Sequence, residues 1–446
     1  MVNKNLSFSL VTNGTKSCSG RCNYCSASSS MHYNMNVDKS KLRDELIRIN
    51  KQNEEESVFD YNKLEEKLDN HKPFQEGFKL AKEGNKVSLH VDIWGADGLN
   101  NFTSLQNNIE FLEYYADKHN LILDPHTSTN GLACYIDEWC DYLHEHNIKL
   151  QLSHDGLGQW MRTDNYDPMD MPNVRSLFRD GTINWVNTTL NFWNYSIFSN
   201  IDYWNNKLKI IFPEVWDRES YCSEEIDEIY RHLYIKLNHI YDSTYNIRAK
   251  NKEGRFGNNI YESLVNSEIG DLALRNRIDL ADKYNIPELG HVLDNYIGEW
   301  YKVFNMFVLN SDKYANDPSI LPYKNYISEQ CNRHRYLRNK DDISGGACRC
   351  YQRGLKDYTF VIDTTGRYSE CNLIDADHHV LNPHAEQPEY CSSCKYRLHR
   401  ECNSCGSVTF PDKCEYKYRW CQFLESISPL INKKGANNAS TRSRTR

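Results

Sequence analysis

Two hydrophobic periods take turns along the first two hundred residues. Residues 6–11 form a short apolar run, and residues 87–94 (VSLHVDIW) alternate between apolar and polar positions. Both read as strands. A helical spacing over 104–119 leads into a strand at 121–127, and a second helical spacing over 133–146 leads into a strand at 148–153. Further strand candidates lie at 184–190 and 208–212. Strands separated by helices argue for parallel βαβ units. Six of them make a barrel or part of one, with chemistry expected at the C-terminal ends of the strands. Two stretches interrupt the pattern. Residues 38–85 read as a charged helical insertion, and residues 223–310 as mostly helical, with Ile226, Ile229, Leu233 and Leu237 at helical spacing.

Beyond residue 345 the texture shifts to short segments rich in cysteine and turn residues. The expected organisation is a core over 1–220, a helical bridge or substrate-docking region over 221–325, a cysteine-rich α+β domain over 326–432 and a tail over 433–446. The tail has five basic residues and no acidic ones, and it reads as disordered. The 446-residue chain is 39% hydrophobic and 12% aromatic, which suits a folded protein and not a disordered one. Its net charge of -8 argues against a protein that coats nucleic acid. No apolar run is long enough for a membrane span. Residues 1–10 lack the basic and long apolar regions of a signal peptide, so a cytoplasmic location is expected.

In that compartment thiols stay reduced, and the clustering of the sixteen cysteines then points to metal or iron–sulfur ligation. Cys134, Cys140 and Cys222 stand apart and read as buried core residues. The first cluster is Cys18-Ser-Gly-Arg-Cys22-Asn-Tyr-Cys25, directly after the first strand. Three thiolates on one loop can bind three irons of a [4Fe–4S] cubane and leave the fourth iron open to a small molecule. Zinc competes, but structural zinc prefers four protein ligands and no fourth is near in sequence.

The Cys-x3-Cys-x2-Cys pattern, with an aromatic residue before the last cysteine, resembles the radical S-adenosylmethionine (radical SAM) enzymes. That resemblance implies a partial (β/α)6, TIM-like barrel of class α/β. It also implies a cluster on Cys18, Cys22 and Cys25 whose open iron binds S-adenosylmethionine. Reductive cleavage then releases methionine and a 5′-deoxyadenosyl radical, which abstracts a substrate hydrogen. The Trp94-Gly95-Ala96-Asp97-Gly98 segment resembles the family's Gly-Gly-Glu motif, so Gly95, Ala96 and Asp97 are expected near the cofactor's amino group. Thr127-Ser-Thr-Asn130-Gly131 is similar to its Thr-Asn-Gly segment, which places Asn130 at the cofactor. Leu152-Ser153-His154-Asp155-Gly156 is similar to its Ser-Leu-Asp-Gly segment. By that likeness Ser153 and Arg162 contact the cofactor's carboxylate and ribose, a role that suits a guanidinium.

The C-terminal cysteines resemble the SPASM domain, which carries one or two auxiliary [4Fe–4S] clusters. The resemblance implies one cluster on Cys348 or Cys350 with Cys371 and Cys405, and a second on Cys391, Cys394, Cys402 and Cys421. Cys331, Cys350 and Cys414 are spare candidates, and zinc stays open as the alternative metal. Residues 358–371 read as a strand–turn–strand through Asp363-Thr-Thr-Gly366. Asn372 stands where an aspartate is the apparent base of sulfatase-maturing members, and it cannot take up a proton in that role. Nearby Asp375, Asp377, His378 and His379 read as a solvated loop. His144-Glu145-His146 is too closely spaced for a helical zinc pair and reads as surface.

Triplet and SPASM-like region together imply modification of a peptide or protein side chain. An external electron donor such as a flavodoxin or ferredoxin is implied, with no membrane partner. Modification of a small metabolite or nucleic acid is the second reading, to which the basic tail lends some support. A non-catalytic iron–sulfur or zinc module is the third.

Overall fold

The computed structural model describes residues 3–11, 17–18, 31–32, 39–54, 59–94, 97–159, 162, 166–189, 196–213, 234–238, 361–363 and 368–369. The protein is α/β. Its strands are β1 (Asn3–Val11), β2 (Ser17–Cys18), β3 (Met31–His32), β4 (Lys86–Trp94), β5 (Ile122–Thr129), β6 (Lys149–Ser153), β7 (Ile183–Thr189), β8 (Tyr234–Asn238), β9 (Val361–Asp363) and β10 (Tyr368–Ser369). The large sheet runs β10-β9-β1-β4-β5-β6-β7-β8. From β9 through β8 every neighbouring pair is parallel. Only β10 turns back, antiparallel to β9. The run β1, β4 to β8 is sequential, with helices in each connection, as in a partial (β/α)6 barrel.

The helices are α1 (Leu42–Glu54), α2 (Tyr61–Asn70), α3 (Lys72–Lys82), α4 (Phe102–His119), α5 (Asp137–Glu145), α6 (Pro172–Arg179) and α7 (Ile197–Ile211). The expected charged insertion is thus α1, α2 and α3. Each of its helices buries one stripe, such as Leu42, Leu46 and Ile49 on α1 or Phe74, Phe78 and Ala81 on α3. The α3 stripe meets the face of the sheet formed by Leu6, Phe8, Val87, Leu89 and Val91, all 1% exposed or less, while α2 packs on α3 and α1 on α4. Phe74 packs edge-on against Phe8 with ring centroids 5.9 Å apart. A Cβ at Gly77 would stand 2.6 Å from Leu6, so α3 approaches β1 closely. Each fully buried leucine or phenylalanine stabilises the fold by roughly 1.5–3 kcal/mol.

One expected strand is a helix. Residues 208–212 end α7 and its C-cap, not a strand. Trp204, Leu208, Ile211 and Phe212 are buried while Ile210 is 54% exposed, which is a helical period and not alternation. Ser196 caps the helix by accepting from Ser199 N–H. The sixth strand is instead β8, inside the stretch expected to be helical, so Leu237 lies on a strand. The helix expected over 133–146 begins with a 3-10 turn (Leu132–Tyr135), and Ile136 in extended conformation separates it from α5.

The hairpin expected at 358–371 forms, as β9 and β10. Its first strand pairs with β1 through Ser9–Val361, Leu10–Ile362 and Val11–Asp363, so it extends the core sheet. Two strands of the sheet therefore come from beyond residue 220, in addition to β8. Most of the expected bridge, cysteine domain and tail lie outside the described residues. Among the described residues, no helix is long and apolar enough to cross a membrane.

Candidate active site

Parallel register brings the C-terminal strand ends together on one edge. Val11 pairs with Trp94, Ile93 with Thr127, Thr129 with Leu152, and Ser153 with Asn187. Asp97, Asn130, Ser153 and Arg162, expected as site residues from separate motifs, lie at or just beyond this edge. Gly95 and Ala96 lie outside the described residues.

Asp97 is 3% exposed and joins the ends of β4 and β5. One carboxylate oxygen accepts from Leu99 N–H at 3.1 Å and the other from Asn130 N–H at 2.8 Å. Asn100 N–H donates to the backbone carbonyl of Asp97 at 3.1 Å. With one backbone N–H on each oxygen, the carboxylate is a brace between two loops. Burial pushes its pKa up to about 6, against the opposing pull of those hydrogen bonds. Asn130 is buried too, and its side-chain oxygen accepts from Leu132 N–H at 2.9 Å. The approach of the two loops is close enough that a Cβ at Gly98 would collide with the Thr127 hydroxyl.

At the end of β6, Ser153 is half-buried, and His154 and Asp155 behind it are sealed. Arg162 is buried and pairs with Asp155 at 3.2 Å. His154 is held on both ring nitrogens. Nδ1 accepts from Gly156 N–H at 3.0 Å, so the proton sits on Nε2, which donates to Asp167 Oδ1 at 2.9 Å. Tyr203 OH donates to Asp167 Oδ2 at 2.8 Å, and Lys207 Nζ lies 2.7 Å from the same oxygen. Burial alone would push Asp167 up, but His154 and Lys207 hold it well below the usual carboxylate range. Burial first, and then the Asp167 carboxylate, push the Tyr203 hydroxyl up. With both nitrogens engaged, His154 locks α7 against the strand end and has no nitrogen left for proton transfer. Asp167, Tyr203 and Lys207 lay outside the sequence reading, since nothing in their spacing ties them to His154. Gly156 has φ +57°, and a Cβ there would collide with Asn200 Oδ1.

Cys18 lies on β2, paired with His32 of β3. Cys22, Cys25, Cys348, Cys371, Cys391, Cys394, Cys402, Cys405 and Cys421 lie outside the described residues, as does Cys222. Cys134 and Cys140 are buried, as expected. Hydrogen bonding with Cys140 and then burial push the Cys134 thiol well up, away from thiolate chemistry. His144 and His146 are surface residues, His144 3.2 Å from Asp180 and His146 2.7 Å from Glu113.

The structure assembles a second group that the sequence reading missed. His90 and Asp92 on β4 pair in register with Asp124 and His126 on β5. The four form a checkerboard on the face away from the apolar core. His90 Nδ1 lies 2.8 Å from Asp124 Oδ2, and its Nε2 lies 3.4 Å from Asp92. Asp124 and then Asp92 push the pKa of His90 up to about 9. His126 and His90 hold Asp124 well below the usual carboxylate range. The signal was present as His-x-Asp on one predicted strand and Asp-x-His on the next, but it needed the strand register to be read.

No protein-family profile matches the chain, and no curated protein matches it. Among solved structures, the chain is similar to one titled "Native anSMEcpe with bound AdoMet", at 16% identity and TM-score 0.45, covering 97% of this chain and 100% of that one. It is also similar to "Native anSMEcpe with bound AdoMet and Kp18Cys peptide", at 15% and 0.44, covering 97% and 99%. A third is "Native anSMEcpe with bound AdoMet and Cp18Cys peptide", at 16% and 0.42, covering 98% and 100%. Likenesses of this size are too slight to fix a family or a function.

Proposed function

We propose that this protein is a radical SAM enzyme that modifies a peptide or protein side chain. The observation that carries the reading is the shared edge of the sheet. β1 ends there at Val11, seven residues before Cys18 in sequence, and the motifs with Asp97, Asn130 and Ser153 stand at the ends of the next three strands. Cys18, Cys22 and Cys25 are the donors that would hold a [4Fe–4S] cluster with one open iron, and three thiols suit that group. When bound, the cluster and S-adenosylmethionine supply one-electron cleavage of a carbon–sulfur bond and a radical able to take a substrate hydrogen.

The chain's own residues then position the cofactor. Ser153 and Arg162 are the proposed contacts to its carboxylate and ribose, with Asp155 orienting the guanidinium. Asn130 lines the same edge. Asp97, braced by backbone N–H groups of Leu99 and Asn130, is the proposed partner of the cofactor's amino group, with Gly95 and Ala96 beside it in sequence. Peptide modification rests on the triplet combined with the SPASM-like cysteines, which we assign to one or two auxiliary clusters with Cys348, Cys371, Cys391, Cys394, Cys402, Cys405 and Cys421 as ligands. The proposed electron donor is a flavodoxin or ferredoxin.

The test is iron, sulfide and 5′-deoxyadenosine measured on protein purified without oxygen. The expected result is about 8 iron per chain with one auxiliary cluster or about 12 with two, at roughly 4 per cubane. Reductant-dependent 5′-deoxyadenosine should disappear in the Cys22→Ala variant. Absence of iron after reconstitution overturns the reading.

A further inference from the structure

We propose that His90, Asp124 and His126 hold a divalent first-row transition ion, such as zinc, on the polar face of the sheet. This inference is independent of the cysteine triplet and of the radical reading. The three side chains come from adjacent parallel strands, at paired positions and two residues apart, so backbone register points them the same way. One donor atom from each lies within 4.8 Å of the other two.

Two details favour an ion over a plain ion-pair network. His126 Nε2 is buried and only 3.0 Å from Asp124 Oδ1, yet it makes no hydrogen bond. A buried imidazole nitrogen with no hydrogen bond, beside a carboxylate, is a donor that an ion would satisfy. His90 Nδ1 and His126 Nε2 face the two oxygens of one carboxylate, at 2.8 Å from Oδ2 and 3.0 Å from Oδ1, so all three side chains converge on one small volume. The second detail is Asp92. It lies on the Nε2 side of His90, while Nδ1 faces Asp124. A carboxylate on the far nitrogen is the usual support of a metal-bound imidazole, because it fixes the tautomer and the ring. The His126 ring stands against the His90 ring at 4.3 Å between centroids, which limits the rotation of both.

Two imidazoles and one carboxylate, with no sulfur, suit zinc, iron, cobalt or nickel and leave coordination positions open. His90 and His126 are half-buried on the polar face, so those positions are reachable by a substrate carbonyl or carboxylate. The ion would act there as a Lewis acid or an anchor.

The experiment uses the full chain and cobalt(II) as the probe, comparing wild type with the double variant His90→Gln, His126→Gln. The expected result is a loss of about one cobalt per chain in the variant, together with visible d–d bands that lack thiolate-to-cobalt charge transfer. Those missing charge-transfer bands separate this site from the cysteines. Equal cobalt content and equal spectra in the two proteins overturn the proposal. If circular dichroism shows the variant unfolded, electron–nuclear resonance on cobalt-loaded wild type decides. Imidazole nitrogen coupling supports the site, and cobalt bound only by sulfur overturns it.

Discussion

The central strands present two faces made by alternate residues, and the faces differ in kind. On the helix side Leu6, Phe8, Leu89, Val91, Leu150 and Leu152 are sealed from solvent. On the other side Ser88, His90, Asp92, Asp124, His126 and Gln151 are half-buried and polar. Parallel sheets usually bury apolar residues on both faces. Here the free energy of folding is drawn from one face, and the other is left to chemistry. Side-chain parity along a strand therefore separates stability from function within nine residues of β4.

The largest test of that division is Leu89→Ala, which leaves a cavity in the apolar face. It should cost about 2–5 kcal/mol in urea unfolding. A loss below about 1 kcal/mol would mean that this face is not where the fold is held.

Asp97, where the two faces end, comes next. Its folded pKa is raised from 3.8 to about 6, so the native state holds its proton more tightly than the unfolded chain. The associated stability is complete below the unfolded pKa and is lost as pH rises through the folded one. A shift of roughly two units corresponds to about 3 kcal/mol between pH 4 and 7. The difference in unfolding free energy between wild type and Asp97→Asn across that window should carry this slope. A flat difference would show that the carboxylate stays ionised.

Gly156→Ala forces a side chain into a left-handed position against Asn200, and about 1–3 kcal/mol of destabilisation is expected from thermal melts. The smallest effect belongs to the polar face. Gln151→Ala should change stability by no more than about 0.5 kcal/mol, as for substitutions away from packed cores. A loss as large as that of Leu89→Ala would erase the distinction between the faces.

Much of the fold was legible because one-sided burial writes a period into the chain. β4, β5, β6 and β7 were found within about two residues, a usual margin for element ends, and β1 within about three. The hairpin of β9 and β10 was marked by its turn residues. Residues 208–212 misled because a short apolar run suits either a strand or the buried end of a helix. Trp204, one turn earlier, settles it. β8 was hidden because Ile235 and Leu237 alternate in only five residues. Of the site, Asp97, Asn130, Ser153 and Arg162 were marked by motifs at strand ends. The bracing of Asp97 by Leu99 and Asn130 was not, since both partners are backbone N–H groups that any residue supplies.

Local rules along the chain establish the α/β class, the order of most strands, and the cysteine spacing on which the proposed chemistry rests. The checkerboard of His90, Asp92, Asp124 and His126, the lock of His154 by Asp167, Tyr203 and Lys207, and the joining of β9 to β1 belong to the folded state alone. Each depends on which residues stand opposite one another across strands or helices. Register is set by the packing of the whole apolar face, so no local segment encodes it.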